Sequence, residues 1–370
     1  MTAAIEPRAN LPALTGIRGV AAWFVVLFHV RVGMQHALPA PVLAVLGKGY
    51  LAVDLFFMLS GFVLWLNYAD RLRSHGPAWA PTFLARRLAR IWPLHIVMLG
   101  CTVAFALMLE LTGHASPDHY PWAQLPLHML LAQNWGFTDR LTWNDPAWSI
   151  SCEFAAYLLF PLLVTAVDWR RLPSAALVLL AGLFALTLHL IFVAAGAPTL
   201  GSAVPHFGLA RALAEFAIGT ILCALWQRWH ARPQTPLLAS AGVLAALTAA
   251  ALSGLLAETL AVPLIFAALL LGVSLCGGHP ANPLGWRPIH YLGEISYATY
   301  LAHFLLYILF KLAFVDDASR VPLALIALFL LLVLAASVAL HHGIERPAQR
   351  ALNRTIDAWR PLVRASAPGV

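Results

Sequence analysis

Residues 174–195 read SAALVLLAGLFALTLHLIFVAA, a stretch without any aspartate, glutamate, lysine or arginine. A transmembrane helix needs about 20 mostly apolar residues, and this stretch meets that requirement. The rest of the chain has the same character, since 61% of all residues are hydrophobic, 11% are charged and the mean hydropathy is +0.78. A soluble domain carries about 25% charged residues. The sequence therefore predicts an all-α integral membrane protein.

Comparable stretches along the chain predict a polytopic bundle of about ten transmembrane helices. The predicted spans are 14–33, 49–68, 83–111, 146–167, 174–195, 206–226, 237–254, 258–276, 291–314 and 321–342. The first span is expected to stay in the protein as a helix, because no convincing small-residue cleavage site follows it. The spans 237–254 and 258–276 consist almost entirely of alanine, leucine and valine, so we interpret them as scaffold.

The positions of arginine and lysine indicate the orientation, because cytoplasmic loops carry an excess of both residues. With the N-terminus inside, the cytoplasmic segments hold Arg8, Arg71, Arg73, Arg170, Arg171, Arg228, Arg232, Arg287, Arg346, Arg350, Arg354, Arg360 and Arg364. The opposite side holds Arg31, Lys48, Arg140 and Arg320. Both termini are therefore predicted to be cytoplasmic. The net charge of +7 is explained by these topology signals and not by binding to nucleic acid.

The chain is expected to form one transmembrane domain, residues 1–345, followed by a basic tail, residues 346–370. Arg346, Arg350 and Arg354 are spaced so that they fall on one helix face. The tail is therefore predicted to be an amphipathic helix on anionic membrane lipids, with a solvated tail as the alternative.

Cysteine and histidine spacing gives no indication of a metal site. Cys101, Cys152, Cys223 and Cys276 lie in or beside apolar spans and form no CxxC pair, which argues against disulfides and structural zinc. No cluster of histidines or carboxylates has ligand spacing within one predicted helix, so no metal is expected.

The longest predicted outer loop, residues 112–145, is rich in tryptophan. Trp122, Trp135 and Trp143 are interpreted as anchors at the membrane interface, with platforms for sugar rings as the alternative.

Several ionisable side chains fall inside the predicted spans, where they cost several kcal/mol unless they face a cavity or a partner. With a rise of about 1.5 Å per residue, one group is placed in the outer half of the bilayer. Its members are His29, Asp54, Glu153, Arg211, Glu215 and His303. A histidine near carboxylates is typical of general base catalysis.

A second group of charges is placed near the inner face. Arg87 and Arg90 are three residues apart and Arg86 and Arg90 are four apart, so they are neighbours on one predicted helix. Arg18 is at a similar depth. Arginine binds phosphate in bidentate fashion, so this layer suits a phosphate-rich anion.

Each of these residues also has a purely structural interpretation. The arginines can be topology anchors, His29 and His303 can be satisfied interhelical histidines, and Asp54 can be a structural partner. Arg211 and Glu215, four residues apart, can form a structural ion pair. A transporter of a polar lipid-linked or sugar substrate, or a non-catalytic scaffold or sensor, remains an alternative to an enzyme.

Six short motifs together resemble the acyltransferase-3 family of bacterial membrane O-acyltransferases. They are LTGIRGVAA at 14–22 with His29 after it, GYLAVDLFFMLSGF at 49–62, RLARIWP at 87–93, WSISCEF at 148–154, ISYATYLAH at 295–303 and ERP at 345–347. The resemblance extends over nearly the whole chain. Ala302 stands where tryptophan is usual in the family, and Cys152 where a small or apolar residue is usual.

The resemblance implies a multi-pass enzyme of the bacterial inner membrane that transfers an acyl group, most often acetyl, from cytoplasmic acyl-CoA. The acceptor would be a hydroxyl of an envelope glycan or lipid-linked sugar, although a lipid or antibiotic acceptor remains open. Without the hydrolase-like domain fused to some relatives, the membrane domain or a partner is expected to finish the transfer.

The resemblance also assigns roles to the two groups of charges. Coenzyme A would place its phosphates on Arg18, Arg86, Arg87 and Arg90. His29 would deprotonate the acceptor or accept the acyl group itself, oriented by Glu153 or Asp54. Arg211, His303 and Tyr300 would contact the acceptor.

Overall fold

A computed structural model describes residues 11–277 and 282–365, with side chains described as far as residue 358. Arg8 lies outside these residues, as do the side chains of Arg360 and Arg364. The helices are α1 Pro12–Val30, α2 Ala40–Leu46, α3 Ala52–His75, α4 Ala80–Leu111, α5 Leu125–Met129, α6 Ala147–Ala166, α7 Ser174–Ala194, α8 Val204–Trp229, α9 Gln234–Leu252, α10 Glu258–Leu275, α11 Arg287–Glu294, α12 Ser296–Phe314, α13 Leu323–Leu340 and α14 Arg346–Ala365.

Within residues 11–277 and 282–365, ten helical segments are long and apolar enough to cross a membrane. They contain α1, α3, α4, α6, α7, α8, α9, α10, α12 and α13. The predicted fold class and the predicted number of spans are therefore confirmed. The tail predicted from residue 346 begins with helix α14, which continues from a π-helical turn at His341–Glu345. The predicted contact of this helix with lipid stays a prediction, and residues 366–370 lie outside the described part.

The predicted span 291–314 is in fact two helices, α11 and α12, which meet at Ile295. The reason is close packing of α11 against α1. A Cβ atom added at Gly293 would lie 1.8 Å from the carbonyl oxygen of Thr15, so only glycine permits this approach. The first turns of the predicted span therefore pack against α1 as a separate helix.

Helices α3 and α8 form the most tightly packed pair in the centre of the molecule. A Cβ atom at Gly61 would lie 2.0 Å from the carbonyl oxygen of Phe216, and one at Gly219 would lie 2.0 Å from that of Met58. Inside a membrane, no hydrophobic force drives helices together. Small residues at a helix contact let the two backbones approach closely enough to pack. This contact brings Asp54 on α3 against Arg211 on α8.

The loop between α4 and α6 folds back into the bundle. The buried Asn144 side chain donates a 3.0 Å hydrogen bond to the carbonyl oxygen of Leu301, in the second turn of α12. Helix α6 therefore begins deep between the other helices.

Two of the loop tryptophans belong to this folded-back segment. Trp143 is 2% exposed, and its indole N–H bonds to Pro121, while the indole N–H of Trp135 bonds to Ser151. These two residues thus stabilise the loop, whereas Trp122 is 41% exposed and remains available as an interfacial anchor.

Candidate active site

A cavity of about 290 Å³ lies between α1, α3, α4, α6 and α12. It is named the inner cavity here because its arginines are predicted to lie near the cytoplasmic face. Three of the four predicted anion-binding arginines line it, namely Arg18, Arg87 and Arg90. They come from α1 and from successive turns of one face of α4, which explains why their side chains converge. The cavity therefore combines several positive charges with apolar walls.

Each arginine is held by a contact that leaves part of its guanidinium free. Arg18 donates to the carbonyl oxygen of Gly293 at 2.9 Å, and Arg87 donates to the hydroxyl of Tyr68 at 2.6 Å. The Nε atoms of Arg18 and Arg87 are buried and have no hydrogen-bond partner. Unpartnered buried donors are costly, so these two atoms fit an anionic or polar ligand.

Arg90 is neutralised by a residue from the end of the chain. Its Nη1 lies 2.6 Å from Oε1 of the buried Glu345, in the π-helical turn between α13 and α14. The other carboxylate oxygen of Glu345 lies 3.0 Å from Nδ1 of His341. The ERP motif quoted above thus supplies a counter-ion, a role that its position in the sequence did not reveal.

Arg86 does not line the inner cavity, although it was predicted to share the ligand with its neighbours. Its guanidinium forms an ion pair with Asp357 on α14. Consecutive residues on a helix point about 100° apart, and on the side of α4 where Arg86 lies, Asp357 of α14 holds its guanidinium. The structure therefore separates Arg86 from the other three arginines.

Glu153 lies in the inner cavity and not beside His29. One of its carboxylate oxygens, Oε1, accepts 2.6 Å hydrogen bonds from the hydroxyls of Ser60 and Tyr157. The predicted placement of Glu153 in the outer layer is wrong because it assumed that α6 starts at the membrane surface. The Asn144 bond shows that α6 starts near Leu301, and Glu153 lies six residues, or about 9 Å, further along this helix.

A second cavity of about 410 Å³ is lined by residues nearer the other end of α1. It is named the outer cavity here after the side that His29 is predicted to face. His29 lines it, together with the aromatic side chains of Phe28, Tyr50 and Trp148. Asp145, from the loop before α6, also lines it, and burial raises the pKa of its carboxyl to about 6. The cavity therefore offers a histidine, a carboxyl group and aromatic surface to one ligand.

His29 is oriented by a second histidine. Nδ1 of His303 donates to the carbonyl oxygen of Tyr300 at 2.7 Å, which leaves Nε2 of His303 as an acceptor. Nδ1 of His29 lies 2.9 Å from the carbonyl oxygen of Val25 and 3.2 Å from Nε2 of His303. A proton on His29 Nδ1 satisfies both contacts, so this assignment leaves the lone pair of His29 Nε2 free to act as a base.

Asp54 forms its ion pair with Arg211 and is not the orienting partner of His29. The guanidinium of Arg211 contacts both carboxylate oxygens of Asp54, and both side chains are buried. Arg211 also donates to the carbonyl oxygen of Leu200 at 3.1 Å. The i, i+4 ion pair considered for Arg211 and Glu215 is thus replaced by a pair between α8 and α3. Arg211 braces the wall of the outer cavity.

Tyr300 lies where the two cavities meet. Among the described residues it alone lines both of them, and its hydroxyl is 2.8 Å from that of Ser149. It follows Tyr297 and precedes His303 at intervals of three residues, so these side chains form one stripe along α12. Ser149 and Ser60 were quoted within motifs, and Tyr157 follows Glu153 by one turn, but no sequence signal marked them as site residues.

The family profile described as an acyltransferase domain matches residues 11–342, which is most of the chain. The protein therefore belongs to the acyltransferase-3 family of membrane-bound O-acyltransferases. This membership defines it as an enzyme and replaces the transporter and scaffold interpretations. The family's reaction requires an acyl donor, and the buried arginine donors of the inner cavity fit a phosphate-bearing one.

Named relatives are similar over different shares of their length. Acyltransferase MdmB of Streptomyces mycarofaciens is 31% identical over 98% of this chain and 97% of its own length. Peptidoglycan O-acetyltransferase OatA of Listeria monocytogenes is 22% identical over 80% of this chain, which corresponds to 49% of that relative. O-acetyltransferase OatA of Staphylococcus aureus is 25% identical over 58% of this chain and 35% of its own length. No solved structure matches the chain.

Proposed function

We propose that the protein transfers an acyl group, most often acetyl, from cytoplasmic acyl-CoA to a hydroxyl of an envelope glycan or lipid-linked sugar. The observation that carries this proposal is the pair of cavities that meet at Tyr300. One cavity carries arginines and the other carries the free Nε2 of His29. A phosphate-bearing donor and a hydroxyl-bearing acceptor can therefore approach one point from two sides.

The donor side is assigned to the inner cavity. Arg18, Arg87 and Arg90 hold the phosphates of coenzyme A, and the pantetheine arm runs along the cavity toward Tyr300. Arg18 and His29 are eleven residues apart on α1, a separation of about 16 Å that the long pantetheine arm spans. The free carboxylate oxygen of Glu153 accepts a hydrogen bond from an amide of that arm.

The acceptor side is assigned to the outer cavity. Nε2 of His29 takes the proton of the acceptor hydroxyl, and the oxygen attacks the thioester carbonyl. The carbon–sulfur bond breaks, and the coenzyme A thiolate takes the proton from the imidazolium. His303 and the Val25 carbonyl hold the Nδ1 proton throughout. We favour direct transfer over an acyl-histidine, because His29 lines the cavity assigned to the acceptor.

The orientation follows the same assignment. With both termini in the cytoplasm, the arginine cavity faces the compartment that holds acyl-CoA. In this proposal the protein resides in the bacterial cytoplasmic membrane, and residues 1–345 form one catalytic domain. Helix α14 lies along the inner membrane surface, where Arg346, Arg350 and Arg354 meet anionic lipid.

The test is release of coenzyme A by the purified protein in nanodiscs, given acetyl-CoA with and without a crude envelope glycan extract. We expect release to depend on the extract and to fall by about 10²–10⁴ in His29→Ala. Tyr307→Ala is a matched control, because Tyr307 lies on α12 against Phe329 and lines neither cavity. Normal release by His29→Ala would remove His29 from the mechanism, and absence of acetyl-CoA binding would remove the donor assignment.

A further inference from the structure

The contact between the two cavities is closed by one aromatic side chain. Tyr300 is 5% exposed, lines both cavities and packs edge-on against Phe56, with ring centroids 5.8 Å apart. On the outer side its ring lies 6.0 Å from that of His303, which contacts His29. The ring of Tyr300 thus stands between the arginine cavity and the base.

A chain of hydrogen bonds holds this ring in place. The hydroxyl of Ser149 donates to the carbonyl oxygen of Pro146 at 3.1 Å. Its lone pairs remain free to accept the proton of the Tyr300 hydroxyl at 2.8 Å. Pro146 lines the outer cavity and Ser149 lines the inner cavity, so the chain crosses from one to the other.

The first turn of α6 completes the partition. Trp148 lines the outer cavity, whereas Ser149 and Ile150 line the inner cavity. Consecutive side chains of this turn therefore face opposite chambers. Because Asn144 bonds to α12, a movement of α6 that opened the partition would have to break this hydrogen bond. The Tyr300 side chain is the part of this partition that lines both cavities.

We propose that Tyr300 is a specificity-determining residue that selects short acyl groups and keeps water of the outer cavity from the thioester. This inference rests on the proposed function, in which the acyl group passes from the inner cavity to His29. A short acyl group reaches the outer side along the edge of the ring. A longer chain must displace the ring, break its bond to Ser149 and disturb the packing against Phe56.

Two consequences distinguish this role from general structural support. Removing the ring makes room for additional methylene groups, so the preference among donors shifts toward longer chains. It also admits water, which adds to the thioester carbonyl and yields a carboxylic acid and the free thiol of coenzyme A. A protein that is merely destabilised would lose activity with every donor alike. It would neither change the preference among donors nor hydrolyse acetyl-CoA faster.

The experiment compares acetyl-, butyryl- and hexanoyl-CoA in nanodiscs with a crude envelope glycan extract. For Tyr300→Ala we expect the ratio of kcat/KM for hexanoyl-CoA to that for acetyl-CoA to rise by about tenfold or more. Hydrolysis of acetyl-CoA without the extract should rise by a similar factor. Tyr300→Phe and Ser149→Ala both keep the ring but remove the hydrogen bond that holds it, so each should give a ratio between those of the wild type and Tyr300→Ala.

The controls separate this inference from the proposed function. Tyr307→Ala on the same helix should leave the donor ratio and the rate of acetyl-CoA hydrolysis unchanged. If Tyr300→Ala does not fold, Tyr300→Leu provides the same comparison with a smaller loss of volume. An active wild type whose donor ratio and hydrolysis rate are unchanged in these variants would overturn the role of Tyr300 alone. A wild type that releases no coenzyme A from any donor would instead overturn the proposed function.

Discussion

The Nε2 atom of His303 lies 3.2 Å from the Nδ1 atom of His29, across the contact between α1 and α12. Catalytic histidines are commonly oriented by a carboxylate that also stabilises the imidazolium. Here a neutral imidazole and a backbone carbonyl do the orienting. The partner thus fixes the tautomer of His29 without placing a second charge near it, which suits a site enclosed by apolar helices.

Replacing His303 should therefore lower turnover while the donor still binds. We expect kcat to fall by about tenfold to a hundredfold in His303→Ala, because His29 loses one of the two acceptors that hold its tautomer. The donor dissociation constant should not change. In the double variant with His29→Ala the losses should not add, since both residues act through one proton. Additive losses would mean that the two histidines act independently.

Arg86 and Arg87 provide a matched pair of substitutions on adjacent positions. Arg87→Ala should weaken binding of coenzyme A by about tenfold to a hundredfold, as expected for one charge-assisted hydrogen bond. Arg86→Ala should have little effect, because it breaks only a partly exposed ion pair with Asp357. Isothermal titration with coenzyme A measures both. If both variants lost the same affinity for coenzyme A, the different positions of Arg86 and Arg87 would have no bearing on donor binding.

Glu153→Gln tests whether this residue serves the donor or the base. The amide retains an oxygen for Ser60 and Tyr157 but loses the negative charge. We expect KM for acetyl-CoA to rise by about tenfold, as for other charged hydrogen bonds, with an unchanged pH profile of kcat. A shifted pH profile with unchanged KM would instead connect Glu153 to His29.

The Asp54–Arg211 pair should matter for stability more than for chemistry. Asp54→Asn removes the carboxylate that pairs with the buried Arg211, and breaking a buried ion pair typically costs about 3–5 kcal/mol. The combined change Asp54→Leu with Arg211→Met removes both charges and should restore much of that loss. Thermal unfolding in detergent measures the series. A double variant no more stable than Asp54→Asn would contradict this account.

Asp145 should make stability depend on pH. Burial raises the pKa of its carboxyl from 3.8 to about 6, so protonation of Asp145 stabilises the folded state. That stabilisation is complete below about pH 4 and is lost as the pH rises through 6, by at most about 3 kcal/mol. Asp145→Asn should therefore be more stable than the wild type at pH 7 and equal to it at pH 4. A difference that grows toward low pH would have the wrong sign.

Charged residues inside spans were identified from the sequence, but their partners were not. Asp54 and Arg211 are 157 residues apart, and only the glycine-mediated contact of α3 with α8 brings them together. Arg90 likewise meets Glu345 across most of the chain. Counting residues along a helix predicts only the depth of a side chain in the membrane. Which residue that side chain contacts also depends on the rotation and tilt of its helix and on the helix packed beside it.

The predicted depths agree with the structure for the two histidines but not for Glu153. His29 and His303 were correctly placed in one layer, and the structure brings them into contact. Glu153 was placed too far outward, because the start of α6 is set by the hydrogen bond of Asn144 to Leu301. No local pattern around residue 147 reports that contact.

The sequence by itself determined that the protein is helical, that about ten segments can cross a membrane and which ionisable side chains fall inside those segments. These properties depend on the length and polarity of each segment, which are local. The tertiary structure decided that Arg86 lies outside the inner cavity, that His303 contacts His29 and that Tyr300 lines two cavities. Those relationships arise from the packing of helices distant in sequence, because rotation and close approach are fixed only when their surfaces meet.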